Sequence, residues 1–316
     1  MLKFRNAVLV FLCALLISSA WAQVSAPTQQ PTSVSEWTDL AYSSFETIPN
    51  ITYRRANNTD LKLDLYLPHE RTQPVPLLIL IHGGGWVAGN RESIVLQTLP
   101  YLQMGFAVAN VQYRLASNTP APAAVEDCRC ALSWLFHNAA RYNFDVNRIV
   151  TTGGSAGGHL ALTTGLLNAE AGFDRGCTPP DDMRWDKAPT TQPRVAAIIN
   201  WFGITDVADL FSGPNAKGYA IEWFGSIDNR DQLARRLSPA YIVSKTSPPV
   251  LTIHGDKDTL VPYAHAQKLH EALTRAGVRN QLITIPNGGH GGFSLDEMRK
   301  TMTAIRAFLR DNKIVQ

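Results

Sequence analysis

Four short segments of this chain carry residues that could break an acyl bond. The first is Gly153-Gly154-Ser155-Ala156-Gly157-Gly158, a serine with glycine two positions before and after it. A serine hydroxyl is a weak nucleophile until a histidine takes its proton and a carboxylate orients that histidine. The third and fourth segments supply the partners: His254-Gly255-Asp256-Lys257-Asp258 follows one apolar run, and Asn287-Gly288-Gly289-His290-Gly291-Gly292 follows the next. The order Ser155, Asp258, His290 is the one expected when nucleophile, acid and base leave successive strand ends. Asp256 competes for the acid role but sits directly after the strand, where it reads as a turn cap.

The second segment is His82-Gly83-Gly84-Gly85-Trp86. Consecutive glycines let main-chain N–H groups converge on one point, which is what the oxyanion of a tetrahedral intermediate requires. Gly83 and Gly84, with the amide of Ala156, are the expected donors. His82 reads as a brace for this loop, and His159, one helical turn past Ser155, as support. Trp86 and Trp223 are expected to contact substrate. His137 and His270 read as solvated or packed helix residues. A phosphate-cradling loop does not fit, because neither G-x-G-x-x-G nor G-x-x-x-x-G-K-[ST] can be placed on the glycine run. No H-E-x-x-H and no Cys/His ligand spacing occurs, so neither metal nor cofactor is expected.

These residues need elements that hold them. Short apolar runs at Leu77–Ile81, Phe106–Val111, Arg148–Thr152, Val195–Asn200, Val250–His254 and Leu282–Ile285 read as strands buried on both faces. Helical stretches separate them at Glu92–Met104, Ala123–Tyr142, Ala156–Asn168, Ala264–Ala276 and Glu297–Arg310. Strands and helices in alternation predict an α/β class with a mostly parallel sheet covered on both sides. Leu61, Leu63, Leu65 and Leu67 alternate with polar residues, so Thr52–Pro68 reads as a hairpin turning at Asn57-Asn58. Glu170–Pro193 reads as a surface insertion. Residues 206–240, with Phe211, Tyr219, Trp223 and Phe224, read either as a small cap over a cleft or as satellite helices packed on the sheet.

Composition bounds the rest. With 45% hydrophobic and 17% charged residues in 316, the chain lies outside the disordered class. Residues 1–22 have the form of a secretion signal: Lys3 and Arg5, an eleven-residue apolar run from Ala7 to Ile17, then Ala20-Trp21-Ala22. That run is too short to span a bilayer as a helix. Cleavage there leaves 27 basic against 26 acidic residues, so the formal +3 falls to +1 and the case for a nucleic-acid surface disappears. Residues 23–50 read as a polar leader and 51–316 as a single domain, secreted or periplasmic, with no membrane span after cleavage. Three cysteines remain. Cys128 and Cys130 point apart on a helix and cannot readily pair with each other. Cys177 could bond either one, and the expectation is that all three are free.

His82 to Trp86, Tyr113-Arg114-Leu115-Ala116, Pro122 to Asp127 with Trp134, and Gly153 to Gly158 resemble the hormone-sensitive-lipase-like esterases. The carboxy-terminal motifs, His254-Gly255-x-x-Asp258-x-x-Val261-Pro262 and Gly289-His290-Gly291, are more similar to bacterial feruloyl and acetylxylan esterases and dienelactone-hydrolase-like enzymes. The resemblance spans about residues 53–309. It implies an α/β-hydrolase fold, a Ser/Asp/His triad, and structural roles for Arg114 and Asp127. It also implies a serine carboxylesterase for small-acyl or aryl esters, free or linked to polysaccharide. One departure is Gly154, which stands where the lipase-like group has an acidic residue. Two rivals remain on sequence grounds: an amidase, such as an arylformamidase or small-peptide hydrolase, and a non-catalytic binding module on the same fold.

Overall fold

In a computed structural model, residues 44–177 and 192–316 are described. The segment 1–22, most of the leader, and residues 178–191 of the insertion, with Trp185, lie outside the described residues. One sheet of eight strands runs through the rest: β1 Phe45–Ala56, β2 Thr59–Pro68, β3 Val75–Ile81, β4 Ala107–Val111, β5 Phe144–Gly154, β6 Ala197–Trp201, β7 Val250–Gly255 and β8 Asn280–Ile285. The spatial order is β1-β2-β4-β3-β5-β6-β7-β8. β1 and β2 form the expected hairpin and β2 pairs antiparallel with β4, while β3 to β8 are parallel to one another. β1 starts at Phe45, inside the stretch assigned to the leader.

The helices are α1 Leu99–Leu102, α2 Ala123–His137, α3 Ala139–Tyr142, α4 Ala156–Leu166, α5 Gly218–Phe224, α6 Arg230–Arg236, α7 Pro239–Ile242, α8 Tyr263–Arg275 and α9 Leu295–Asp311. The helix expected over Glu92–Met104 is instead a 3-10 segment, Glu92–Thr98, followed by the single turn α1. Pro100 is the physical reason. It has no N–H to donate backwards, so an α-helix cannot run through it from the preceding turn.

Alternation along the parallel strands feeds two cores. Leu77, Ile79 and Ile81 of β3 face one cluster with α2 and α4, whereas Leu78 and Leu80 face a second with α1 and α9. This is why the strands read as continuous apolar runs. β4 lies on one side of β3 and β5 on the other, so the chain reverses direction across the sheet at β3. Loops leaving the carboxyl ends of β3 and β5 therefore diverge and open a crevice between them.

Two buried constructions hold the flank. Asp127 of α2, with 0% side-chain exposure, accepts from Arg114 Nε (2.8 Å) and Nη2 (2.8 Å) and from Arg54 Nη1 (2.7 Å). The structural role implied for Arg114 and Asp127 is thus a buried ion cluster that ties β1 to α2. The second construction corrects the expectation of free thiols: Cys130 is bonded to Cys177, with Cα atoms 4.9 Å apart, and Cys128 is free and buried. Positions two apart on a helix face opposite ways, so only Cys130 looks toward the chain after α4. Burial pushes the Cys128 thiol up and keeps it inert. Among the described residues no helix is long and apolar enough to cross a membrane, and no group of three His, Cys, Asp or Glu side chains is arranged to hold a metal ion.

Candidate active site

The turn from β5 into α4 carries Ser155 with φ 59° and ψ −123°, a backbone conformation that costs energy for a residue with a Cβ. The neighbouring glycines make the turn possible. A Cβ on Gly157 would lie 2.2 Å from the Ile81 carbonyl oxygen, and one on Gly153 would lie 2.4 Å from the same atom. Both positions are closed to any other residue while β3 and α4 remain this close. Gly154 has a local cause too: a Cβ there would meet the Phe202 ring at 3.2 Å, so Phe202 occupies the space an acidic side chain would need.

Gly83 and Gly84 follow β3 beside this turn. A Cβ on Gly83 would come within 2.8 Å of the Gly154 carbonyl oxygen and 3.6 Å of Ser155 Cβ. Gly84, at φ 110°, leaves room for the Ala88 carbonyl, which a Cβ would approach to 2.0 Å. Among the described residues no loop or turn hydrogen bond takes up the amide of Gly83, Gly84 or Ala156. Ala156 opens α4, where N–H groups lack intrahelical partners and favour negative charge. His82 braces the loop as expected: its Nδ1–H donates to the Gly83 carbonyl at 2.8 Å, and its ring stacks on Tyr113 at 4.1 Å. Tyr113 in turn donates its hydroxyl to the His82 carbonyl at 3.1 Å. Burial pushes the His82 imidazole down to about 4.

At the carboxyl ends of β7 and β8, His290 Nδ1–H donates to Asp258 Oδ2 at 2.7 Å, leaving Nε2 as the acceptor of that ring. Asp258 Oδ1 accepts from the backbone N–H of Leu260 (2.8 Å) and Val261 (2.9 Å). Burial alone would raise the Asp258 carboxyl, but donors from His254, His290 and Val261 outweigh it and hold the group well below the usual carboxylate range. Asp256 takes the competing role foreseen for it: its Oδ1 accepts from the Asn287 N–H at 2.7 Å and pins the β8 loop.

Ser155, Gly83, Gly84 and His290 line one cleft of about 770 Å³. Its walls are apolar: Ile94 and Pro100 from the 3-10 segment and α1, Phe202 after β6, Tyr219 of α5, and Phe293, Met298 and Met302 at the start of α9. No Asp, Glu, Lys or Arg lines it. The α9 wall escaped sequence reading, although Met298 and Met302, four residues apart, were a visible pair on one helix face.

Trp86 and Trp223 are corrections. Neither lines the cleft; both are 0% exposed and stack on each other at 4.1 Å beneath the glycine loop. Trp86 Nε1–H donates to His159 Nδ1 at 3.2 Å, and His159 Nε2–H donates to the Leu237 carbonyl at 2.7 Å. His159 is therefore a neutral support, pushed down to about 4 by burial. Within residues 206–240, Ala220, Trp223 and Phe224 are packed in the core and Tyr219 lines the cleft.

The profile of the BD-FAE family matches residues 63–273. Esterase LipC of Mycobacterium tuberculosis is 30% identical over 240 residues, covering 74% of this chain and 57% of that protein. The chain spans a little over half the length of the curated esterases it matches first. A truncated carbohydrate esterase from gut microbiota shares the fold at TM-score 0.69 and 27% identity, over 85% of this chain and 97% of that one. The propionate-bound thermophilic esterase Est2 of Thermogutta terrifontis shares it at TM-score 0.68 and 24% identity, over 86% and 96%. The mostly parallel sheet and its helices are thus those of an α/β-hydrolase.

Proposed function

The chain belongs to the BD-FAE family, and on that premise we propose that it is a serine carboxylesterase working through a Ser155/Asp258/His290 triad and an acyl-enzyme. His290 Nε2 takes the proton of the Ser155 hydroxyl as its Oγ attacks the ester carbonyl. Asp258 fixes the ring and stabilises the imidazolium that forms. The amides of Gly83, Gly84 and Ala156 take the oxyanion. His290 then returns the proton to the leaving alcohol, and water, activated by the same ring, releases the acid.

The observation that carries this reading is the His290–Asp258 hydrogen bond opening onto the cleft that holds Ser155 on its strained turn. Names of relatives as esterases support it. The resemblance to the gut carbohydrate esterase supports esters carried on carbohydrate as substrates, and within that class we propose acetyl or feruloyl side-chain esters of plant polysaccharide. Residues 1–22 and the Cys130–Cys177 disulfide support an oxidising, secreted or periplasmic setting. A folded Ser155→Ala protein is expected to lose hydrolysis of p-nitrophenyl acetate by at least about 10³-fold. Retention of full activity would sink the proposal.

A further inference from the structure

His254 is the penultimate residue of β7, four residues before Asp258, and its side chain is fully buried. Its Nε2–H donates to the Val261 carbonyl at 3.0 Å and lies 3.2 Å from Asp258 Oδ2, the same oxygen that receives His290 Nδ1–H. Nδ1, at the far side of the ring, has no hydrogen-bond partner. A buried imidazole with one idle nitrogen is a costly way to tie a turn, since a residue with a single donor would serve. What the ring adds is an Nε2–H shared between the Val261 carbonyl and the carboxylate, whose Oδ2 lies 3.2 Å from that nitrogen.

We propose that His254 is a positioning residue for the acid–base pair: its Nε2–H shares Asp258 Oδ2 with His290, fixing the carboxylate and withdrawing part of the charge it presents to His290. The proposal rests on the triad reading above.

Other groups near this pair come from every neighbouring element. Tyr219 of α5 faces Asp258, and its phenol is raised by burial and by that carboxylate, so it stays neutral. From α8, the Tyr263 ring meets His254 edge-on at 5.7 Å. Nearby His265 is held down by burial and bonded to Asp209 at 3.1 Å. Lys217 donates to the Thr259 carbonyl at 2.9 Å. None of these puts a donor on Asp258 Oδ2.

Without the His254 donor, Asp258 presents more negative charge to His290, the imidazolium is favoured, and activity is lost sooner on acidification. Glutamine and asparagine separate this role from a structural one, because the glutamine amide nitrogen falls near Nε2 and that of asparagine near Nδ1. In His254→Asn the acid limb of kcat/KM on p-nitrophenyl acetate is expected to move up by roughly 0.5 to 1 pH unit. At pH 7, kcat/KM is expected to fall about tenfold or more, counted per site labelled by a fluorophosphonate. His254→Gln is expected to recover most of both effects. His254→Phe, which keeps the ring and drops the donor, replaces His254→Asn if that protein does not fold, with the same expected shift. An unmoved acid limb, or a loss that is equal at every pH or disappears when counted per labelled site, overturns the proposal. If Ser155→Ala also remains active, the triad reading itself has failed; if Ser155→Ala is inactive, only the role of His254 has.

Discussion

Asp127 shows how much a single buried charge can hold. Its two oxygens bind both Arg54 and Arg114, and all three side chains are nearly or fully inaccessible. Asp127→Ala would leave two buried guanidiniums without their shared partner, an arrangement that typically costs about 3–5 kcal/mol. A matching drop in the urea midpoint, with unchanged kcat per folded molecule, is the expected result. His82 and His159 make a second residue-scale prediction. Each has a folded pKa of about 4, against 6.5 for an ordinary histidine. The unfolded chain therefore binds the extra protons between those values, and stability falls as pH drops through that window, by on the order of 3 kcal/mol per residue at most. Urea unfolding from pH 7.5 to 4.5 should show this fall, and His159→Gln should make it shallower. Ser155, Asp258 and His290, proposed as the triad, and Gly83, Gly84 and Ala156, proposed as the anion site, could be named because their signals are local: a serine between glycines, and polar residues directly after apolar runs. Trp86 and Trp223 were not, because a tryptophan beside a glycine loop can turn outward to a ligand or inward to a core. The choice depends on a partner 137 positions away in the chain.

At the scale of elements, the cleft is a product of two pieces that never touch in sequence. The 3-10 segment with α1 supplies Ile94 and Pro100, and α9 supplies Met298 and Met302. Periodicity predicted α9 within two residues at its start and one at its end, but nothing local says which of its faces meets the serine. We propose that this flexible, uncharged wall receives the acyl group and takes apolar chains larger than acetyl. Met302→Trp, which fills that wall, is expected to cut kcat/KM for p-nitrophenyl octanoate about tenfold or more while acetate changes by less than about threefold. A chain-length series on both proteins reads this directly. The glycine loop after β3, proposed to bind the oxyanion, gives the opposite kind of prediction. Gly84→Ala forces a Cβ against the Ala88 carbonyl at a positive φ, so the amides lose their aim. A fall in kcat of about 10² to 10³-fold for every ester, short or long, is expected.

Across the whole molecule, alternation of apolar runs and helical stretches was enough to announce a parallel α/β sheet. Strand order, by contrast, depends on which edges pair and carries no local signature. The disulfide escaped for a similar reason: two helix cysteines offered themselves, and only the rotation of α2 decides between them. Cys130 and Cys177 close a loop across 47 positions and clip α2 to the chain beyond α4. Cys177→Ser is expected to cost about 2–4 kcal/mol, read as a lower melting temperature. Reductant should bring the wild type to the same point and leave the variant unmoved.

The stacked pair Trp86 and Trp223 also limits what can be exchanged between relatives. Insertions such as residues 206–240 are natural units for grafting, since they leave and re-enter the sheet between neighbouring strands. Here the graft would carry away Trp223, half of the stack that holds Trp86 at the end of the glycine loop, together with the Leu237 carbonyl that anchors His159. A chimera that imports a foreign insertion to change specificity must therefore import its partner for position 86 as well, or it will inherit a new entrance and a misaligned anion site.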